Sequence, residues 1–139
     1  DYWKDTGTPE DIINANRVIL ENLIPEFKGE KASTVSIEGN VSTGDETLIE
    51  DQVKIIGPVI IGNKCKISGN TIIGPNTSIG DECIISGGII KDSIIMNNCE
   101  IEKNVNIRNS IISSNSSIKQ NKTKNEQVFL LGEGTKVLF

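Results

Sequence analysis

Asp5, in the string Trp3-Lys4-Asp5-Thr6-Gly7, carries one of the side chains whose type could do chemistry. A carboxylate can offer hard oxygen to a divalent cation. One carboxylate is not a site, and on residue type alone it reads as a turn residue before a helix. Cys65, Cys83 and Cys99 are the other reactive groups. The first two are one eighteen-residue period apart and the third follows a shortened period, so they are expected to stack on one inner corner. A flat ladder of single thiols lacks the tetrahedral geometry of a zinc site, and the cysteines read as buried small hydrophobes. The chain contains no histidine. That removes the side chain best suited to general-base work near neutral pH.

The element that must position these groups is a repeat. From Ile37 a mostly aliphatic residue recurs at nearly every sixth position: Ile37, Thr43, Ile49, Ile55, Ile61, Ile67, Ile73, Ile79 and Ile85. It continues through Ile90, Ile95, Ile101, Ile107 and Ser113. A small or β-branched residue follows four positions after each, from Val41 and Thr47 to Ile89, Ile94, Ile111 and Ser117. A hexapeptide period marks a parallel β-helix in which three short strands make one coil. The span 37–118 therefore reads as four to five coils with the repeat heads inside. Gly57-Pro58, Gly62-Asn63, Gly69-Asn70, Gly74-Pro75 and Gly80-Asp81 are expected to supply the unusual φ angles at the corners. Two five-residue steps, Ile85 to Ile90 and Ile90 to Ile95, imply tightened corners or a small bulge.

Composition sets limits. The 139 residues suit about one domain, and five aromatic residues suit a narrow interior of Ile and Val. A net charge of −5 argues against nucleic acid or an anionic membrane as partner. No apolar run approaches the roughly 20 residues of a membrane span. The odd cysteine count and the lack of a signal peptide suggest a reducing, cytoplasmic setting.

The ends depart from the repeat. A helix is expected at about 8–24, with Thr8 as N-cap, Pro9 at the first position and Asp11 completing a capping-box-like pattern. Ile12, Ala15, Ile19, Leu23 and their neighbours form its apolar stripe, and Pro25 stops it. Residues 28–36 read as a polar connector, and 119–139 as a polar loop followed by a capping β-hairpin. The opening lacks an initiator methionine and reads as mid-protein sequence.

Tyr2-Trp3-Lys4-Asp5-Thr6-Gly7-Thr8-Pro9-Glu10-Asp11, continued by Ala15-Asn16-Arg17, resembles the end of the catalytic domain in sugar-1-phosphate nucleotidylyltransferases. Within that family the long thymidylyltransferase form is most similar, and Val128-Phe129-Leu130-Leu131-Gly132-Glu133-Gly134-Thr135 resembles its tail. The resemblance implies that residues 1–27 close a nucleotidylyltransferase domain lying upstream. It implies a left-handed coil, Asp5 as a Mg2+ ligand in the intact enzyme, and a sugar 1-phosphate and a nucleoside triphosphate as substrates. Other ligands and the nucleotide loop would lie upstream, so no catalytic residue is expected in this chain and no activity from it alone.

Hexapeptide β-helices also host acyl- and acetyltransferases, some of them in relatives of this family, but these are similar in using a histidine base. The β-helical carbonic anhydrases need three histidines on zinc. A carboxylate base has no obvious place either, since Glu38, Glu50 and Glu102 fall at outward positions. The remaining class is structural: a homo-oligomer assembled through the solenoid. Ile56, Ile60, Ile72, Ile84 and Met96 fall off the inner positions and are the candidates for that interface.

Overall fold

The computed structural model describes residues 8–119 and the strand residues 130–131 and 136–138. Helix α1 (Pro9–Glu21) precedes a left-handed parallel β-helix of about five coils with three sheet faces. Face I stacks Glu30–Lys31, Leu48–Ile49, Lys66–Ile67, Ile84–Ile85, Glu100–Ile101, Ser117–Lys119 and Lys136–Leu138. Face II stacks Ser36–Glu38, Lys54–Ile56, Ile72–Ile73, Ile89–Lys91 and Asn106–Arg108. Face III stacks Val41–Thr43, Val59–Ile61, Thr77–Ile79, Ile94–Ile95, Ile111–Ile112 and Leu130–Leu131.

The repeat heads fill the interior. Ile49, Ile55, Ile67, Ile73, Ile85 and Ile90 are fully buried, as are Ile112 and Ile118 further along. Parallel pairing in register puts isoleucine on isoleucine, as in Ile49 on Ile67 and Ile67 on Ile85. Each such side chain, removed from water, contributes about 1.5–3 kcal/mol. The hydrogen bonds that hold the coils run between neighbours, for example Lys66 N–H to Cys83 O at 2.9 Å.

The compact corner position is set by the next head rather than the last one. It lies two residues before each head: Thr47, Cys65, Cys83, Cys99 and Ser116 on face I, and Val59, Thr77, Ser93 and Ser110 on face III. In six-residue repeats this coincides with four residues after the previous head. In five-residue repeats it does not, so Ser93 and Ser110 are buried where Ile94 and Ile111 were expected at the corner. A third five-residue step, Ile107 to Ile112, makes Ile112 a head in place of Ser113. Register follows these losses: Lys66 pairs with Ile84 eighteen residues on, but Ile84 pairs with Glu100 only sixteen on. The shortened steps are tightened corners, and the ladder continues through them.

Corner chemistry also differs from expectation. The left-handed φ angles fall mainly on polar residues, including Asn70, Asn76, Asp92, Asn98 and Asn109, with φ between 50° and 63°, while Gly69 is left-handed as expected, with φ 70°. Asn and Asp tolerate that region better than other side chains with a Cβ. Gly62 and Gly80 are glycine because the next coil approaches too closely. A Cβ on Gly62 would collide with Asp81 Oδ1, and one on Gly80 with Asn97 Oδ1.

Two boundaries move. The connector 28–36 already contains the first face I strand, since Glu30 and Lys31 pair with Leu48 and Ile49. The expected C-terminal hairpin is not formed by the described strands. Leu130–Leu131 pairs in parallel with Ile111–Ile112, and Lys136–Leu138 in parallel with Ser117–Lys119. The two segments thus continue different faces, because each finds a strand edge of matching direction in the coil below.

Candidate functional site

Helix α1 lies on face III, and that seam is the part of the molecule that departs from plain solenoid. Thr8 Oγ1 accepts from Asp11 N–H at 3.2 Å, with Pro9 at the first helical position and Glu10 and Asp11 in the first turn. Such a cap satisfies an otherwise unpaired donor, and acidic residues there suit the helix dipole. The helix ends at Glu21 with Asn22 as C-cap, three residues before the expected stop near Pro25.

Its buried side is not the expected stripe. Ile13 and Leu20 are buried, whereas Ile19 is 68% exposed and Ile12, Ala15 and Leu23 are only half-buried. The rotation brings Asn16 and Arg17 inward. Asn16 Oδ1 accepts from Ser78 Oγ at 2.8 Å. Arg17 Nη2 lies 3.0 Å from Asp92 Oδ1, and its Nη1 donates to Asn14 Oδ1 at 3.1 Å. Asp92 Oδ1 also accepts from Asn76 Nδ2 at 3.2 Å. Beyond the helix, Ser42 Oγ accepts from Glu26 N–H at 2.8 Å. Since Asn16 meets the third coil and Glu26 the first, the chain descends the stack antiparallel to the direction in which the coils wind. Asn16 Nδ2 is buried in the seam and has no partner among the described residues. The sequence marked Asn16 and Arg17 only as part of a string; the polar wedge between Ile13 and Leu20 is their structural signal.

Asp5 lies outside the described residues, as do its neighbours in the string. Among the described residues, no group of three or more His, Cys, Asp or Glu could hold a metal ion. Glu38 and Glu102 are exposed and Glu50 half-buried. Glu38 and Glu50 make long pairs with Lys54 at 3.7 Å and Lys66 at 4.0 Å, typical of a solvated face.

The cysteines form the expected ladder, buried and unpaired. Each thiol reaches a backbone carbonyl of the coil above: Cys65 that of Gly80 at 3.0 Å, Cys83 that of Met96 at 3.0 Å, and Cys99 that of Ser113 at 3.2 Å. Thr47 Oγ1 does the same to Gly62 O at 2.6 Å. The Cys83 thiol is pushed up by hydrogen bonding to Cys65 and Cys99 and by burial, so it stays neutral.

The five apolar interface candidates are not brought together. Ile56 and Ile72 are half-buried on face II, where Ile72 pairs with Ile89. Ile84 is 45% exposed on face I between Lys66 and Glu100. Ile60 is on face III and lines a groove of about 450 Å³ with Leu23, Ile24 and Ser42. Met96 is exposed just after Ile95 and immediately precedes Asn97, as Gly62 precedes Asn63 and Gly80 precedes Asp81.

Residues 55–138 match the GMPPB C-terminal domain family. The chain is 36% identical over 137 residues to a glucose-1-phosphate thymidylyltransferase of Streptomyces antibioticus, covering 98% of this chain and 38% of that protein. A second glucose-1-phosphate thymidylyltransferase, of Streptomyces griseus, is 27% identical over 80% of this chain and 31% of its own length. The bifunctional protein GlmU of Methanococcus vannielii is 34% identical over 98% of this chain and 34% of its own length. The chain thus spans about a third of the length of these relatives.

Proposed function

Since the chain belongs to the GMPPB C-terminal domain family, we infer that it is the β-helical part of a sugar-1-phosphate nucleotidylyltransferase. The substrates proposed are glucose 1-phosphate and dTTP, and the products dTDP-glucose and pyrophosphate. The observation that carries this reading is the 36% identity over 98% of the chain to a glucose-1-phosphate thymidylyltransferase, an alignment too long to rest on hexapeptides alone.

In the reaction proposed, the sugar phosphate attacks the α-phosphorus of the nucleotide in line, and pyrophosphate leaves. Such chemistry relies on positioning and on neutralising charge that develops on the phosphate oxygens. Asp5 is proposed as one oxygen ligand of the Mg2+ that supplies part of that neutralisation. The described residues contribute structure: α1 follows the Asp5 string directly and is docked on a stiff solenoid. The β-helix itself is proposed to serve assembly or regulation through its outer faces, as a homo-oligomer. Three buried unpaired thiols suit a reducing compartment, and the cytoplasm is the proposed location. Among the described residues, no helix is long and apolar enough to cross a membrane.

The other reading, acyl or acetyl transfer on a sugar phosphate, is raised by similarity to bifunctional GlmU proteins. It is weakened by the absence of histidine, which leaves no imidazole to deprotonate an acceptor. Asp5→Asn in the longer polypeptide tests the nucleotidyl reading. Loss of pyrophosphate release at unchanged solution mass supports it, and full activity removes Asp5 from the metal site.

A further inference from the structure

We propose that Asp92 is a lock built into a shortened corner, and that Arg17, steadied by Asn14 and flanked by Asn16, is its key, fixing where α1 sits along the solenoid. The inference concerns the chain's own conformation and does not depend on the activity proposed above.

Asp92 occupies the corner between faces II and III, within the five-residue step from Ile90 to Ile95. The same corner in the coils on either side is made by Asn76 and Asn109, and all three are left-handed, with φ of 63°, 50° and 50° in chain order. Asn is as well suited to that conformation as Asp, so the turn does not require a carboxylate. What the carboxylate adds is a charge 3.0 Å from Arg17 Nη2, across 75 residues of chain, with Asn76 Nδ2 holding the same oxygen at 3.2 Å. On the helix, Asn14 Oδ1 fixes the other guanidinium nitrogen. One residue away, Asn16 meets Ser78 on face III.

The buried apolar contacts cannot set this register alone. Ile13 and Leu20 are the only buried helix residues among those described, and the outer column of face III runs Ser42, Ile60, Ser78 and Ile94, so polar contacts share in placing the helix. Past the helix the chain is tied to the first coil, where Thr43 N–H donates to Glu26 O at 3.0 Å and Glu26 N–H to Ser42 Oγ at 2.8 Å, so what the apolar contacts leave open is the placement of the helix's N-terminal half. Among the described residues, Asp92 is the one acid at a corner between faces II and III. The lock therefore fixes where the start of α1 stands relative to the β-helix.

The test uses this chain, with amide hydrogen exchange of residues 9–21 as readout. Arg17→Met and Asp92→Asn each remove the charge while keeping shape and, for Asn, the left-handed corner. Each is expected to speed exchange of the helix amides about threefold to fivefold, and the double variant no further than either alone. Ile13→Ala, which weakens docking without touching the lock, should speed exchange by the same factor in the wild-type and Asp92→Asn backgrounds. Unchanged exchange in both single variants, or effects that simply multiply in the double variant, would overturn the proposal.

Discussion

Asp81 Oδ1 accepts the backbone N–H of Asn63 at 2.8 Å, one coil before it, and the Asp81 N–H is in turn accepted by Asn97 Oδ1 at 2.8 Å. With Asn63 Oδ1 on Asp45 N–H below, this gives a polar ladder up one edge of the solenoid, and Gly44, Gly62 and Gly80 leave it room. Gly44, Gly62 and Gly80 are thus explained by contact between coils. Gly62→Ala should cost about 1–3 kcal/mol because the next coil must shift. Asp81→Ala should cost about 0.5–1.5 kcal/mol for one lost bond. Urea unfolding measures both; an alanine at Gly62 as stable as the native chain would contradict the close approach.

Ile112 is a core residue, although strict six-residue counting places Ser113 inside. Ile112→Ala should lower stability by about 2–5 kcal/mol, as for other large-to-small changes in a packed interior. Ile84→Ala, whose side chain is 45% exposed, should stay within about 0.5 kcal/mol of the native chain. Denaturant midpoints of the two variants give the comparison, and equal costs would mean the register is wrong.

Much of this fold was legible in the residues, and the failures share a cause. Isoleucine at every sixth position fixes the coil and the interior because stacked strands in register bury one column of side chains. Counting forwards from each head then fails wherever a residue is lost, as at Ser93 and Ser110, because burial is measured from the strand that follows. The helix was legible from Thr8 and Pro9, but its buried side was not. Ile12, Ala15 and Ile19 make a stripe as apolar as Ile13 and Leu20, and polar partners in the distant coils, Ser78 and Asp92, decide between them. The segment Val128 to Phe139 looks like a hairpin by composition, yet its described strands each meet a parallel edge in the coil below. Asp5 was legible only through the resemblance, since no spacing in this chain supplies it with a second ligand.

The thiols should be inert in the folded protein. Cys65, Cys83 and Cys99 are at most 2% exposed; hydrogen bonding to Cys83 lowers the Cys65 and Cys99 thiols to about 7 while the Cys83 thiol is pushed up, so burial is what blocks reaction at the outer two. A raised pKa keeps a thiol protonated as pH climbs, so raising pH from about 7 to 9 increases thiolate in the unfolded chain, where the ordinary value is about 8.5, but not at Cys83 in the fold. Labelling with a thiol reagent should give no reaction under native conditions at either pH and three modified residues in denaturant. Rapid native labelling would contradict the ladder.

Assembly through the solenoid is best probed where apolar side chains stand on open sheet faces. Ile72→Asp tests face II and Ile84→Asp face I, while Ile60 is a poorer probe because it lines the groove beside Leu23 and Ile24. A variant on the proposed interface should shift sedimentation towards the monomer with the circular dichroism of the fold unchanged. If neither variant changes the mass, those two faces are not the interface.

The most direct measurement is pyrophosphate release by the polypeptide that contains this chain, with glucose 1-phosphate and each nucleoside triphosphate in turn, alongside an acetyl-CoA control. The account predicts release with dTTP in the presence of Mg2+, none from residues 1–139 alone, and no acetyl transfer by either. No release with any nucleotide, or acetyl transfer by residues 1–139 themselves, would contradict it.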